Sequence, residues 1–169
     1  FNVVVTGESP TNGSNTLSSV GAGTQLARFK VTNNGSAQVT LTHASFTDSG
    51  SHTGTDARYT VYASSENSND YTANTLELSA TDTVAFGSLA ATTTINGGSY
   101  RYITVAITTV TTVASGDTFS LSVASLGDLK YSVAESALGY DGNQDNDQGD
   151  TVSSLFVDGK PALGTIQKQ

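Results

Sequence analysis

The densest group of side chains that could do chemistry lies between residues 141 and 150. This stretch is rich in carboxylates and amides and contains no basic side chain. Oxygen ligands at alternating positions of a loop are what Ca²⁺ requires. The predicted ligands are Asp141, Asn143, Asp145, Asp147 and Asp150. The pattern is not an EF-hand, because Asn146 stands where the turn glycine is expected. The alternative is a solvated acidic loop that is kept extended by charge repulsion.

The histidines offer weaker evidence of chemistry. His43 falls within a predicted strand, and His52 falls in a loop rich in Ser and Gly. Neither stands in a Gly-x-Ser-x-Gly elbow or in a His-Glu-x-x-His helix. We interpret both as ordinary polar positions, and the sequence predicts no enzyme.

Tyrosines recur on two predicted strands. Tyr59 and Tyr62 share one strand, and Tyr100 and Tyr102 share another. Exposed tyrosine rings can stack on sugars or become buried in a subunit contact. Ordinary cross-strand packing is the other interpretation, and both remain open at this stage.

Alternating hydrophobicity predicts the elements that position these groups. In Gln25 to Thr32 every second residue is apolar, and the residues between include Arg28 and Lys30, as expected for a half-buried strand. Asn33-Asn34-Gly35-Ser36 follows, and Asn-Gly predicts a hairpin. The apolar phase slips within Gln38 to Phe46, which predicts a bulge. The other alternating runs are Arg58 to Ala63, Thr75 to Ser79, Thr83 to Phe86, Ser99 to Thr108, Asp117 to Ser125 and Leu129 to Val133.

These runs define the fold class. They amount to roughly nine or ten strands at the spacing of a sandwich. Val133 to Leu138 has room for one helical turn. We predict an all-β protein with a single antiparallel β-sandwich, of immunoglobulin-like or jelly-roll topology.

Composition excludes several functional classes. The chain has 169 residues, a net charge of −8, seven Lys and Arg together, and no Cys. Disulfide scaffolds and thiol enzymes are excluded, and so few scattered cations argue against nucleic-acid binding. No apolar run is long enough to span a membrane. The low charge, the many Ser, Thr and Gly residues, and a chain that begins at Phe1 and lacks Met predict a secreted or surface-attached protein.

The N-terminal region suggests a role in assembly. Phe1, Val3 and Val5 share one face of a short apolar strand, and Gly7 to Gly23 has the composition of a flexible linker. We therefore divide the chain into residues 1–23, a candidate donor strand with its linker, and residues 24–169, the sandwich. Either the strand belongs to its own sandwich or it completes the sheet of a neighbour. Head-to-tail repetition of the second arrangement gives a filament.

Two stretches resemble modules of prokaryotic surface-layer, pilus-like and TasA-type fibre proteins. In Gly23 to Thr42, a Leu-x-x-Phe-x-Val-x-Asn strand leads through a glycine turn into Val-x-Leu, and Ser115 to Val123 is similar to a late strand of such modules. The resemblance implies a structural surface role. Together with the N-terminal strand, its linker and the low charge, it leads us to predict a secreted structural subunit of an extracellular filament or surface array that polymerises by donating its N-terminal strand. The alternative is a calcium-supported sandwich that binds carbohydrate or acts as an adhesin.

Overall fold

The computed structural model describes residues 2–10, 14–52, 58–80, 83–86, 89–110, 113–138 and 149–169. The strands in these ranges are β1 (Val3–Ser9), β2 (Ser14–Leu17), β3 (Gln25–Asn33), β4 (Val39–Ser45), β5 (Thr47–Asp48), β6 (Arg58–Ala63), β7 (Asn74–Ala80), β8 (Thr83–Ala85), β9 (Thr94–Ile95), β10 (Tyr100–Thr109), β11 (Thr118–Phe119), β12 (Leu121–Ser122), β13 (Leu129–Ala134), β14 (Thr151–Phe156) and β15 (Thr165–Lys168). Two single-turn α-helices, α1 (Ala90–Thr93) and α2 (Glu135–Leu138), and a short 3₁₀ helix (Leu126–Asp128) accompany them. The predicted all-β class is confirmed.

Two larger antiparallel sheets form the sandwich. The front sheet has the strand order β1-β3-β10-β6-β7. The back sheet has the order β14-β13-β4-β8, and β9 also pairs with β4. Shorter strands extend the structure in two groups, β11-β15-β2 and β12-β5, and the β15–β2 pair is parallel.

The core lies between the two sheets and follows the predicted alternation. Phe29 on β3 is fully buried, and its ring stacks on Phe46, which follows β4, with centroids 5.3 Å apart. The buried residues of the two sheets include Val31, Ile103, Val105 and Ile107 in front and Val39, Leu41, Leu129 and Val133 behind. Alternate residues point into this core because successive strand side chains face opposite sides.

The predicted bulge in β4 is confirmed. Lys130 of β13 pairs with His43, whereas the next residue, Tyr131, pairs with Leu41, so Thr42 is the extra residue. The bulge returns Ala44 to the buried face after the phase slip. The predicted helical turn before the acidic segment is also found, as α2.

The predicted hairpin at Asn33-Asn34-Gly35-Ser36 is wrong, because β3 and β4 lie in different sheets. The turn connects the front sheet to the back sheet and is held by the buried side chain of Asn33. Its Nδ2 donates to the carbonyls of Ala37 and Ile95, and its Oδ1 accepts from the Gly35 amide. The amide side chain thus satisfies backbone groups that a hairpin ladder would otherwise pair.

We expect Asn33→Ala to lower the free energy of unfolding by about 2 kcal/mol, because it leaves buried backbone groups without partners. The neighbouring exposed residue supplies a matched control, and Asn34→Ala should change stability by less than about 0.5 kcal/mol. Urea unfolding followed by tyrosine fluorescence measures both. Equal effects of the two substitutions would contradict the role given to the Asn33 side chain.

The segment predicted as a flexible linker, Gly7 to Gly23, contains regular structure. Its first residues complete β1, and its middle forms β2, which pairs with β15. The linker prediction is therefore wrong for these residues. The Ser, Asn and Gly content of the segment did not reveal that β2 would pair with the distant strand β15.

Candidate functional site

The candidate donor strand lies in the sheet of its own chain. β1 pairs antiparallel with β3, and Val3 and Val5 are each 2% exposed within the core. Phe1, the third residue assigned to this strand's apolar face, lies outside the described residues. The single chain thus adopts the first of the two arrangements considered for the strand.

A second segment covers the other side of β1. We call Val157–Gly164, which follows β14, the strap. The Val5 amide donates to the Asp158 carbonyl at 2.7 Å, and the Asp158 amide donates to the Val3 carbonyl at 2.8 Å. Gly159 has φ +111°, and a methyl group there would lie 2.4 Å from the Val5 carbonyl oxygen. β1 therefore lies in a groove between β3 and the strap, and we call this groove the seat.

The acidic segment joins β13 to β14. Ala134 pairs with Thr151 at the base of this connection, and the Glu135 amide donates to the Asp150 carbonyl. The predicted ligands Asp141, Asn143, Asp145 and Asp147 lie outside the described residues, and Asp150 is exposed at the base. The structure also places the buried carboxylate of Glu135 at the start of α2, a neighbour that the sequence pattern did not reveal. In the described parts of the chain, no three His, Cys, Asp or Glu side chains form a group that could hold a metal ion.

Two other carboxylates stabilise turns by accepting hydrogen bonds from backbone amides. Asp48 accepts hydrogen bonds from the amides of Gly50 and Ser120, both at 2.8 Å. Asp128 accepts from the amides of Ala124 and Ser125. These oxygens satisfy backbone donors that strand pairing leaves over.

His52 has an acidic partner but, within the described part of the chain, no nucleophile. Its Nδ1 lies 3.4 Å from an Asp117 carboxylate oxygen, and its ring stacks on Phe119 with centroids 4.8 Å apart. Its Nε2 is buried and makes no hydrogen bond with any of the described residues. A Ser–His–Asp triad requires a hydroxyl at that nitrogen, so this pair does not form one.

The clearest constellation outside the core between the sheets combines three tyrosines with two cations; Tyr102 is 7% exposed and the other four residues are half-buried. We call it the aromatic–cationic cluster, and it consists of Arg28, Lys30, Tyr71, Tyr100 and Tyr102. Residues from β3 and β10 reach the outer face of the front sheet because the alternate positions fill the core. Tyr71 comes from the loop that follows β6. The Arg28 guanidinium lies 3.6 Å from the centroid of Tyr71, and the Lys30 ammonium lies 4.2 Å from that of Tyr100.

The rings of the cluster also contact one another. Tyr102 meets Tyr71 edge to face at 4.9 Å and Tyr100 at 5.5 Å. Burial raises the pKa of Tyr102 above its ordinary value, and the nearby carboxylate of Glu8 raises it further. Tyr102 thus remains a neutral hydroxyl at physiological pH.

Four of the five cluster residues were predicted on two strands, but neither the contact between those strands nor Tyr71 was predicted. The sequence pattern placed Tyr100 and Tyr102 together, and it placed Arg28 and Lys30 on the outward face of their own strand. The register that sets Lys30 opposite Tyr102 is a tertiary feature. The predicted pair of Tyr59 and Tyr62 does not form a second tyrosine cluster. Tyr59 packs against the core, and its hydroxyl lies 3.4 Å from Asp48.

Neither protein-family models nor curated proteins provide a match to this sequence. Within the described ranges, the chain contains no helix with the length and apolar character needed to cross a lipid bilayer.

Proposed function

We propose that this protein is a secreted structural subunit of an extracellular filament or surface array. In the assembly, copies exchange β1, so that the strand of one subunit fills the seat of a neighbour, head to tail. The geometry of that seat supports the proposal most directly. Its walls are β3 and the strap, and β1 is joined to β2 through residues 10–13. Exchange would preserve every backbone and core contact that β1 makes within one chain.

The edge of the back sheet also favours self-association. β14 contains no charged residue, pairs with β13, and ends at Phe156, which is 58% exposed. Among the described residues, no other strand pairs with β14. Edge strands of single-copy proteins are usually protected by charges or Pro, and β14 has neither. An edge strand of this kind is suited to lateral contacts between neighbouring subunits.

Electron microscopy of the purified protein, in calcium and after chelation, tests this function. Filaments or ordered sheets are the expected result. Their loss on chelation would assign the segment from Asp141 to Asp150 a role in assembly. Dispersed single molecules in both conditions, at all concentrations tried, would overturn the proposal.

The second candidate function is a calcium-supported carbohydrate-binding or adhesin module. The aromatic–cationic cluster favours it, because aromatic rings and charged donors on one sheet face are suited to sugars. In this function the acidic segment holds Ca²⁺ through oxygen ligands, and the buried Glu135 lies at its base. Binding of Ca²⁺ would raise the midpoint of thermal unfolding, since a ligand that binds only the folded state stabilises it.

A further inference from the structure

We propose that the aromatic–cationic cluster and the adjoining cavity bind a uronic-acid oligosaccharide. The inference deepens the second candidate function and rests on it. It names the class of sugar and the residues that recognise it, and it is independent of whether the protein forms filaments.

The two cations of the cluster are arranged for an outside anion. The carboxylate of Glu8 acts on Tyr102 within the cluster, yet no described carboxylate lies within 4.0 Å of the side-chain nitrogens of Arg28 or Lys30. Tyrosine rings hold both cations in place, and the Nε of Arg28 is buried without a hydrogen-bond partner. Because Nε is buried, the two terminal nitrogens of the Arg28 guanidinium are the donors left for an outside anion, and such a pair binds a carboxylate through two parallel hydrogen bonds.

A cavity of about 340 Å³ lies beside Arg28. Its volume falls within the range of small-ligand sites, about 300–1,000 Å³. Its polar lining consists of Ser9, Asn15, Thr16, Gln25 and Arg28. Hydroxyls and amides of this kind donate and accept hydrogen bonds, which is what sugar hydroxyls require. The one cation among these lining residues, Arg28, then provides the contact for a carboxylate.

The position of the cluster favours a sugar over an acidic peptide. Arg28 and Lys30 lie on β3, which is paired on one side with β1 and on the other with β10. Its backbone groups are therefore used within the sheet, and an extended peptide cannot add a strand here. Recognition at this face depends on side chains alone, and these supply the charge and hydroxyl contacts that suit a carboxylated sugar.

Calorimetric titration of the full chain with trigalacturonate tests the inference. We expect measurable binding that weakens with salt, and no binding of the neutral trisaccharide maltotriose. Arg28→Gln should lower the affinity at least about tenfold, because hydrogen bonds to a charged group are lost. Lys130→Gln removes the same charge from the back sheet and should leave the affinity unchanged. Arg28→Lys replaces Arg28→Gln in the test if the latter does not fold. It keeps the charge but loses the planar pair of donors, so it should still weaken binding several-fold.

Three results would overturn the inference. These are no binding of trigalacturonate, equal binding of tri-aspartate, and equal losses in Arg28→Gln and Lys130→Gln. Equal binding of tri-aspartate would show a general anion site. Filament formation is measured separately by microscopy, so failure of sugar binding would leave the structural function standing.

Discussion

Val5→Asp is expected to lower the free energy of unfolding by at least about 4 kcal/mol and to abolish assembly. Val5 is 2% exposed in the core, and its backbone is held by β3 on one side and by Asp158 on the other. The substitution loses about 2 kcal/mol of apolar burial and adds the cost of burying a carboxylate. Such a loss approaches the total stability of many domains. Denaturant unfolding and electron microscopy measure the two effects.

The adjacent position provides the matched control. Thr6 is exposed on the same strand and pairs with Lys30, so Thr6→Asp introduces the same carboxylate where water can solvate it. We expect Thr6→Asp to change the free energy of unfolding by less than about 0.5 kcal/mol and to assemble normally. If Val5→Asp were as stable as Thr6→Asp, β1 would not occupy the seat in solution.

Gly159→Ala is expected to lower the free energy of unfolding by about 3 kcal/mol and to weaken the hydrogen bonds between β1 and the strap. Alanine at φ +111° adds about 1 kcal/mol of backbone strain. Its methyl group would also meet the Val5 carbonyl oxygen at 2.4 Å. The strap must shift to relieve this contact, which weakens the two hydrogen bonds between Asp158 and β1 at about 1 kcal/mol each. Hydrogen exchange of the Val5 amide should accelerate in parallel with the loss of stability.

Gly116→Ala separates the two causes. Gly116 also has a positive φ, +92°, but none of the described atoms lies within 4 Å of the position of an added methyl group. Gly116→Ala should lower the free energy of unfolding by only about 1 kcal/mol. The Val5 amide should then still exchange its hydrogen only when the whole protein unfolds. If the two glycine variants lost equal stability, the close approach of the strap to β1 would not contribute.

The alternation of apolar residues was sufficient to predict the strands that build the sandwich. The predicted apolar faces of β3 and β10 are buried, although the other face of β10 is buried too, at Tyr102, Thr104 and Ala106. The bulge in β4 was also visible, because a single extra residue shifts the whole apolar phase. These features depend on local geometry, which the sequence expresses directly.

Features set by tertiary pairing were not visible. The Asn-Gly turn after β3 fits a hairpin locally, yet buried contacts of Asn33 with Ala37 and Ile95 turn the chain toward the other sheet. β2 has no apolar alternation and is ordered by its parallel partner β15. Tyr71 reaches the aromatic–cationic cluster from a loop, and no sequence period marks a loop contact.

Cysteine cross-linking between separate chains tests the exchange of β1 most directly. The protein contains no native Cys, and Val4 and Thr32 are Cα partners across β1 and β3. Partners in an antiparallel pair are about 4.5–5.5 Å apart, within the span of a disulfide. A Val4→Cys chain and a Thr32→Cys chain are mixed unfolded, refolded together, assembled and oxidised. We expect disulfides between the two variants to dominate in the assembled material. Assemblies that form without them, while a chain carrying both substitutions closes its own disulfide, would contradict strand exchange.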